Sequence, residues 1–245
     1  MDICRKFTIV EQILKNTFSK ETAILIFANS AIAETRRKKT LANLNLFHAL
    51  TERTLQTAKT SGLPYFHFTE KEQQGTSFGA RFSNAIQAIY DKGYKNVITI
   101  GNDSPQLKAS HIIEAEKQLQ LGKTVLGPAS DGGFYLMGLH CSNFDPNLFL
   151  RLPWQRFGLF NKISQLFESY DSHVHRLPVL HDIDSEKDIK TLLNFSKTIS
   201  ITILKILGSL LKRSTRIVSK NVQILQYYFH SLHFNKGSPV LMRFS

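Results

Sequence analysis

Cysteine is nearly missing from this chain: 245 residues hold only Cys4 and Cys141. Two cysteines give no disulfide framework and no CxxC metal pattern. The expectation is therefore a reduced, cytoplasmic protein. Long hydrophobic runs are also lacking. The longest mostly apolar stretch, Ile199 to Leu211, is too short to span a bilayer and is interrupted by Lys205. Met1 to Lys6 has no apolar segment of a secretory signal, so none is expected. The nine histidines show no HExxH or other metal-ligand spacing. Internal repeats and low-complexity tracts are absent.

Acidic residues stop at Asp188. The net charge is +12, from 31 Lys and Arg against 19 Asp and Glu. Nine of the basic residues follow that point: Lys190, Lys197, Lys205, Lys212, Arg213, Arg216, Lys220, Lys236 and Arg243. The charge excess thus describes a tail, while the preceding residues are close to balance. No nucleic-acid-binding module accompanies the tail, so no nucleic-acid partner is expected. Hydrophobic residues make up 42% and charged residues 20%, enough apolar material for one α/β domain with an appendage.

The apolar patterning alternates between strand-length runs and helical stripes. Residues 1–20 read as a helix through Ile9, Ile13 and Leu14. Ala23 to Ala28 is a continuous apolar run, the mark of a buried parallel strand. Leu46, Phe47, Leu50, Thr54 and Ala58 share one face of a helix that stops at Gly62. Strands follow at 64–68, 97–100, 124–126 and 134–139, and helices at 78–90 and 110–121, the last with Ser110 as its N-cap. This order predicts a mostly parallel sheet covered by helices on both faces. Loops 28–40, 101–107 and 127–133 then fall at the carboxyl ends of the strands, where such folds bind ligands.

Three segments carry chemistry. In Gly101-Asn102-Asp103-Ser104-Pro105-Gln106-Leu107, an aspartate directly follows a buried strand. Asp103 suits a divalent cation bridging phosphates, or it braces an Asx turn. In Gly127 to Leu136, Gly132 and Gly133 permit close backbone approach to a ligand, and Asp131 faces the same crevice; a type I′ hairpin turn is the plainer reading. In His181 to Asp188, Ser185 and Asp188 form a helix-capping pair, which leaves Asp182 and Asp184 unexplained.

These segments, in this order, resemble the DUF2064 glycosyltransferase-like branch of the GT-A nucleotide-diphospho-sugar transferase superfamily, whose relatives include molybdenum-cofactor and phospholactate nucleotidyltransferases. The G-x-D-x-P-x-L pattern is met by Gly101, Asp103, Pro105 and Leu107. The long G-P-x-x-D-G-G-[FY]-Y-L-x-G-L pattern is met by Gly127, Pro128, Asp131, Gly132, Gly133, Phe134, Tyr135, Leu136, Gly138 and Leu139. Pro153-Trp154 and the Asp182-Ile183-Asp184-Ser185…Asp188 segment follow, and Gln74, Gly79 and Arg81 meet an upstream Q-x-x-x-x-G-x-R pattern. The likeness covers about residues 22–195.

The resemblance implies a GT-A (Rossmann-like) α/β domain over 1–196 and leaves 197–245 as a basic, amphipathic helical tail. It implies Asp103 and Asp184 as ligands of one Mg²⁺ or Mn²⁺ that neutralises a diphosphate. Asp131 is the implied catalytic base, and Arg37, Lys39, Gln74, Arg81, Gly132 and Gly133 the implied nucleotide and phosphate contacts. The family's first loop, A-R-x-P-x-P-G-x-x-K-T-R-L, is altered: Ala28 to Thr40 has lost the prolines and the glycine and keeps four adjacent cations, Arg36, Arg37, Lys38 and Lys39. The expected activity is sugar transfer from a nucleotide-sugar to an acceptor the sequence does not specify. Nucleotidyl transfer from an NTP and a non-catalytic binding role are the alternatives. Trp154, Phe134 and Tyr135 read as core or as a stacking surface. The tail, through Ile199, Ile203, Ile206, Leu207, Leu210 and Leu211 and again over 216–234, is expected to be helical. Its apolar rows would be covered by the domain, by a second copy in a homodimer, or by an anionic membrane surface.

Overall fold

The computed structural model describes residues 21–156, 158–168 and 173–212. The helix expected over 1–20 and the second tail helix expected over 216–234 lie outside them. Two compact units divide the chain, Met1–Ile206 and Leu207–Ser245. The sheet and its cleft belong to the first.

Six strands build the sheet: β1 (Thr22–Phe27), β2 (Tyr65–Phe68), β3 (Asn96–Ile100), β4 (Thr124–Pro128), β5 (Phe134–His140) and β6 (Val174–Arg176). They lie in the order β2-β1-β3-β5-β4-β6. β1 pairs parallel with both β2 and β3, and β4 pairs parallel with β6. β5 alone runs antiparallel to its neighbours, because a short hairpin joins it to β4. Every residue of β3 is buried, which explains why its sequence does not alternate.

The two faces of the sheet bury separate clusters with strand period 2. Ile24, Ile26, Ile98 and Ile100 pack with Ile112 and Ala115 of α4 (Ala109–Gln120) and with Ala58 of α2 (Leu44–Thr60). Ala23, Leu25 and Val97 face the other way. They pack with Phe82, Ile86 and Ile89 of α3 (Phe78–Tyr90), Phe149 of α5 (Pro146–Arg151), and Ile163 and Phe167 of α6 (Leu159–Glu168). The result is the three-layer architecture that the alternating pattern predicts.

The helix limits follow local chemistry. Asn43 and Ser77 cap α2 and α3, accepting the backbone N–H of Leu46 and Ala80. α4 departs from expectation: it begins at Ala109, and its N-cap residue is Lys108, not Ser110. The Lys108 N–H donates to Nδ1 of His111 at the third helical position, the half of a capping box in which a side chain reaches back to the cap residue. The segment read as a loop over 28–40 also differs. Its residues Ala31–Arg37 form α1, capped by Ser30, whose hydroxyl accepts the Ala33 N–H. With prolines and glycine absent, Ala31, Ala33 and Glu34 meet no obstacle to a helical turn. α7 (Glu186–Leu193) opens on the expected pair: Oδ2 of Asp188 accepts the Ser185 N–H at 2.7 Å. A further helix, α8, runs over 201–212, one turn later than the tail was expected to start.

Candidate active site

The topology gathers four loops at one edge. From β1 the chain turns toward β2, whereas from β3 it turns toward β4 on the other side. That reversal leaves a crevice beyond the carboxyl ends of β1 and β3. Register brings the ends level, with Ile26 opposite Ile100 and Ile100 opposite Leu136. The β4–β5 hairpin therefore turns at the same edge. A bridge between Ala129 and Leu180 carries the chain after β6 to 181–184 there as well.

A cleft of about 540 Å³ opens at this edge. Asp103, Asp131, Asp182, Asp184 and Glu34 line it, with Arg37, Arg81 and Arg156, the backbone of Gly133, and the rings of Phe27, Phe78, Phe82, Phe134 and Trp154. Of the residues expected in the site, Asp103, Asp184, Asp131, Arg37, Arg81 and Gly133 come together. Gln74 and Lys39 do not line the cleft and are exposed; the neighbouring Gln73 lines it instead. Gly132 also stays out of the lining, and its carbonyl accepts the N–H of Phe160.

Asp103 and Asp184 do approach one another, but around an unexpected group. The ammonium of Lys38 lies 2.7 Å from Oδ1 of Asp184 and 3.6 Å from Oδ2 of Asp103, and donates to the Ile183 carbonyl at 2.9 Å. Lys38 is buried at the end of α1, with the ring of Phe47 5.9 Å from its nitrogen. Burial works to lower the Lys38 pKa, but the charges of Asp103 and Asp184 outweigh it and hold the group above its ordinary value. A second link between the loops is the Ile183 N–H, which donates to the Asp103 carbonyl at 2.9 Å.

Asp103 is ringed by protein yet reaches water through the cleft, with 35% of its side chain exposed. Burial pushes its carboxyl upward; Lys38 opposes this and Asp184 reinforces it. Asp182 lies beside it and accepts a hydrogen bond from the Ser104 hydroxyl. Burial and the charge of Asp103 push Asp182 up to about 8, against the Ser104 hydrogen bond. The two aspartates of the Asp182-Ile183-Asp184 segment thus differ in place: one is exposed and paired with Lys38, the other is tucked against Ser104.

The cations separate into two kinds. Arg37 grips Glu34 with Nε and Nη2, at 3.1 and 3.0 Å from Oε2, so half of its fork is already engaged. Arg81 and Arg156 carry no ion pair among the described residues. Sequence reasoning missed Arg156, and also Gln155, a non-glycine residue with left-handed backbone (φ 59°) on the cleft wall. Such conformations cluster at binding sites. Only the Pro153-Trp154 match marked this stretch in the sequence. Lys38 was one of four adjacent cations, with nothing local to distinguish it.

Asp131 shapes the hairpin while facing the cleft. Its Oδ1 accepts the Gly133 N–H at 2.8 Å. The turn is not type I′, since Gly132 alone has positive φ (91°). The Gly132 N–H donates to the Ala129 carbonyl and the Ala129 N–H to Gly133, the pattern of a type I turn closed by a glycine bulge. Trp154 both packs and lines: its Nε1 donates to the Phe149 carbonyl, and its ring stands against Gly79. Tyr135 is core, with its hydroxyl on the Pro178 carbonyl.

Asp103 and Asp184, the two expected ligands of a divalent cation, meet around the Lys38 ammonium. Among the described residues, no group of three or more His, Cys, Asp and Glu side chains is arranged to hold a metal. The two expected ligands share the charge of Lys38 instead.

Comparison with solved structures places the fold. A provisionally assigned nucleotide-diphospho-sugar transferase from Desulfovibrio desulfuricans G20 superposes with a TM-score of 0.64 at 23% identity, covering 79% of this chain and 98% of its own. Two others are more distant. The Rv0371C protein of Mycobacterium tuberculosis H37Rv, solved in complex with manganese, gives a TM-score of 0.44 at 13% identity over 71% of this chain and 98% of its own. The 4-diphosphocytidyl-2C-methyl-D-erythritol synthase of Anaerococcus prevotii gives 0.43 at 14% identity over 73% and 97%. A search of curated proteins finds no match. The fold is that of the nucleotide-diphospho-sugar transferases. A family model matches residues 34–156, half of the chain, and the protein accordingly belongs to the bacterial family described as "Uncharacterized protein conserved in bacteria (DUF2064)".

Proposed function

We propose that this protein is a transferase that uses an activated nucleotide donor, and that the group it moves is a sugar. The observation that supports this reading is the composition of one cleft. Ionisable carboxyl groups on three separate loops, Asp103, Asp131 and Asp184, face unpaired guanidinium groups and an aromatic wall. A diphosphate needs compensating cations, and Arg81 and Arg156 present planar forks that suit its oxygens. Phe78, Phe134 and Trp154 offer ring faces of the kind that stack on a base or a sugar. Asp131 Oδ1 is used by the hairpin, which leaves Oδ2 to accept the proton of an acceptor hydroxyl.

A thermal-shift panel of NTPs and of UDP-, GDP- and dTDP-sugars tests the reading. A ligand present at 100 times its Kd stabilises the protein by about 2.7 kcal/mol. Product analysis on any hit then separates sugar transfer, which releases a nucleoside diphosphate, from nucleotidyl transfer, which releases pyrophosphate. A panel with no shift overturns the nucleotide reading. Binding without turnover turns it into a binding role.

A further inference from the structure

A site that gathers carboxylates beside a diphosphate needs a cation among them, and this chain supplies one from its own side chains. Lys38 has only 7% of its side chain exposed. An ammonium offers three N–H donors and accepts nothing. Here Asp184 at 2.7 Å and the Ile183 carbonyl at 2.9 Å take two of them, and Asp103 stands at ion-pair distance, 3.6 Å. The stem is held equally well. The Lys38 N–H closes α1 on the Glu34 carbonyl at 2.8 Å. The Ser30 cap of that helix is tied by its N–H and hydroxyl to Glu70, at 2.7 Å each. Lys38 is thus a positioned charge and not a mobile surface lysine.

A divalent ion between the same two aspartates would sit against this fixed positive charge, which repels it. Of the further carboxyls, Asp182 is engaged by Ser104 and Glu34 by Arg37.

We propose that Lys38 is a built-in cation that replaces the divalent metal in this cleft, so that the protein binds a nucleoside diphosphate group without any divalent ion. The ligand half of this inference rests on the nucleotide-donor reading above; the role of Lys38 does not. Because it is buried and held between Asp184, the Ile183 carbonyl and Asp103, Lys38 is a positioning residue. It sets the spacing and charge of Asp103 and Asp184 and leaves the phosphates to Arg81 and Arg156.

Two measurements on the full chain test this. In the first, Mn²⁺ alone is titrated into wild type, Lys38→Ala and Lys38→Met, and free Mn²⁺ is read by electron paramagnetic resonance. The expected result is no loss of free-ion signal with wild type and a saturable loss with both variants, abolished by adding Asp103→Asn. Saturable Mn²⁺ binding by wild type overturns the proposal, as does the absence of any gain in folded variants. Lys38→Met keeps the apolar stem, and the wild-type titration decides the matter if neither variant folds. In the second, thermal shifts with UDP, GDP, CDP and dTDP are compared in EDTA and in Mn²⁺. Equal shifts for wild type support the proposal, and a shift lost in EDTA overturns it. If no nucleotide shifts wild type in either buffer, the donor reading fails, while the Mn²⁺ titration still decides the role of Lys38.

Discussion

Nζ of Lys38 stands 2.7 Å from Oδ1 of Asp184 and thereby joins the end of α1 to the loop that precedes α7. The same nitrogen reaches Asp103 after β3, so one side chain ties three of the loops that form the cleft. Loops held this way keep their carboxylates at a set spacing before any ligand arrives, which is the condition for electrostatic preorganisation.

Removing that charge has a stability cost. Lys38→Met leaves two carboxylates facing each other without a partner. Both reach water through the cleft, so the loss should fall below the about 3–5 kcal/mol of a fully buried broken pair, at about 1–3 kcal/mol. Urea denaturation at pH 7 measures it. The Lys38 pKa is held above 10.5, so the stabilisation is fully present below that pH and fades as the pH rises through the folded value. A variant as stable as wild type would show that the ion pair contributes nothing net.

Asp182 should make stability depend on pH in the opposite sense to an ordinary paired carboxylate. Its folded pKa is raised from 3.8 to about 8, so between those values the folded chain holds a proton that the unfolded chain has released. Stability therefore declines as the pH rises from about 4 to about 8. Asp182→Asn, which mimics the neutral acid, should remove most of that decline and gain about 1–3 kcal/mol relative to wild type at pH 8, with no gain at pH 4. Parallel denaturation curves for the two proteins across this range would refute the assignment.

Arg81 is expected to act on ligands and not on the fold. It carries no ion pair among the described residues. Arg81→Ala should weaken binding of any nucleotide hit about tenfold, equivalent to about 1.4 kcal/mol, and lower its salt dependence. Unfolding should shift by no more than about 0.5 kcal/mol. Isothermal titration at two salt concentrations reads both effects.

Gly127 tests packing behind the cleft. A Cβ there would stand 2.5 Å from Cζ of Tyr135, whose ring is buried and whose hydroxyl is bound to Pro178. The ring has no free direction in which to yield, so Gly127→Ala should destabilise by about 1–3 kcal/mol. A Tm equal to wild type would mean that the ring moves freely.

The helical tail begins inside the first unit. Ile199 and Ile203 are 7% and 1% exposed, and the Gln106 amide donates to Thr198. A chain ending at Lys197 loses both isoleucines, at about 1.5–3 kcal/mol for each buried side chain. It should show a markedly lower urea midpoint than a chain ending at Ile206. Equal midpoints would make the segment dispensable to the domain.

Local sequence determined five of the six strands and missed β6, a three-residue strand. Runs such as Ala23 to Phe27 and Val97 to Ile100 are apolar on both faces and bounded by polar turns, so no other element could bury them. The Ser185–Asp188 cap was equally legible, because it depends on neighbours a few residues away. The tertiary structure alone decided which cation matters. Arg36, Arg37, Lys38 and Lys39 are chemically alike in sequence, yet helical phase turns Arg37 to Glu34, leaves Arg36 and Lys39 exposed, and sends Lys38 inward to Asp103 and Asp184. It likewise decided that Asp182 is tucked against Ser104 with its pKa raised, while Asp184 is exposed and paired with Lys38, because burial and distant charges, not residue type, set a carboxyl's surroundings.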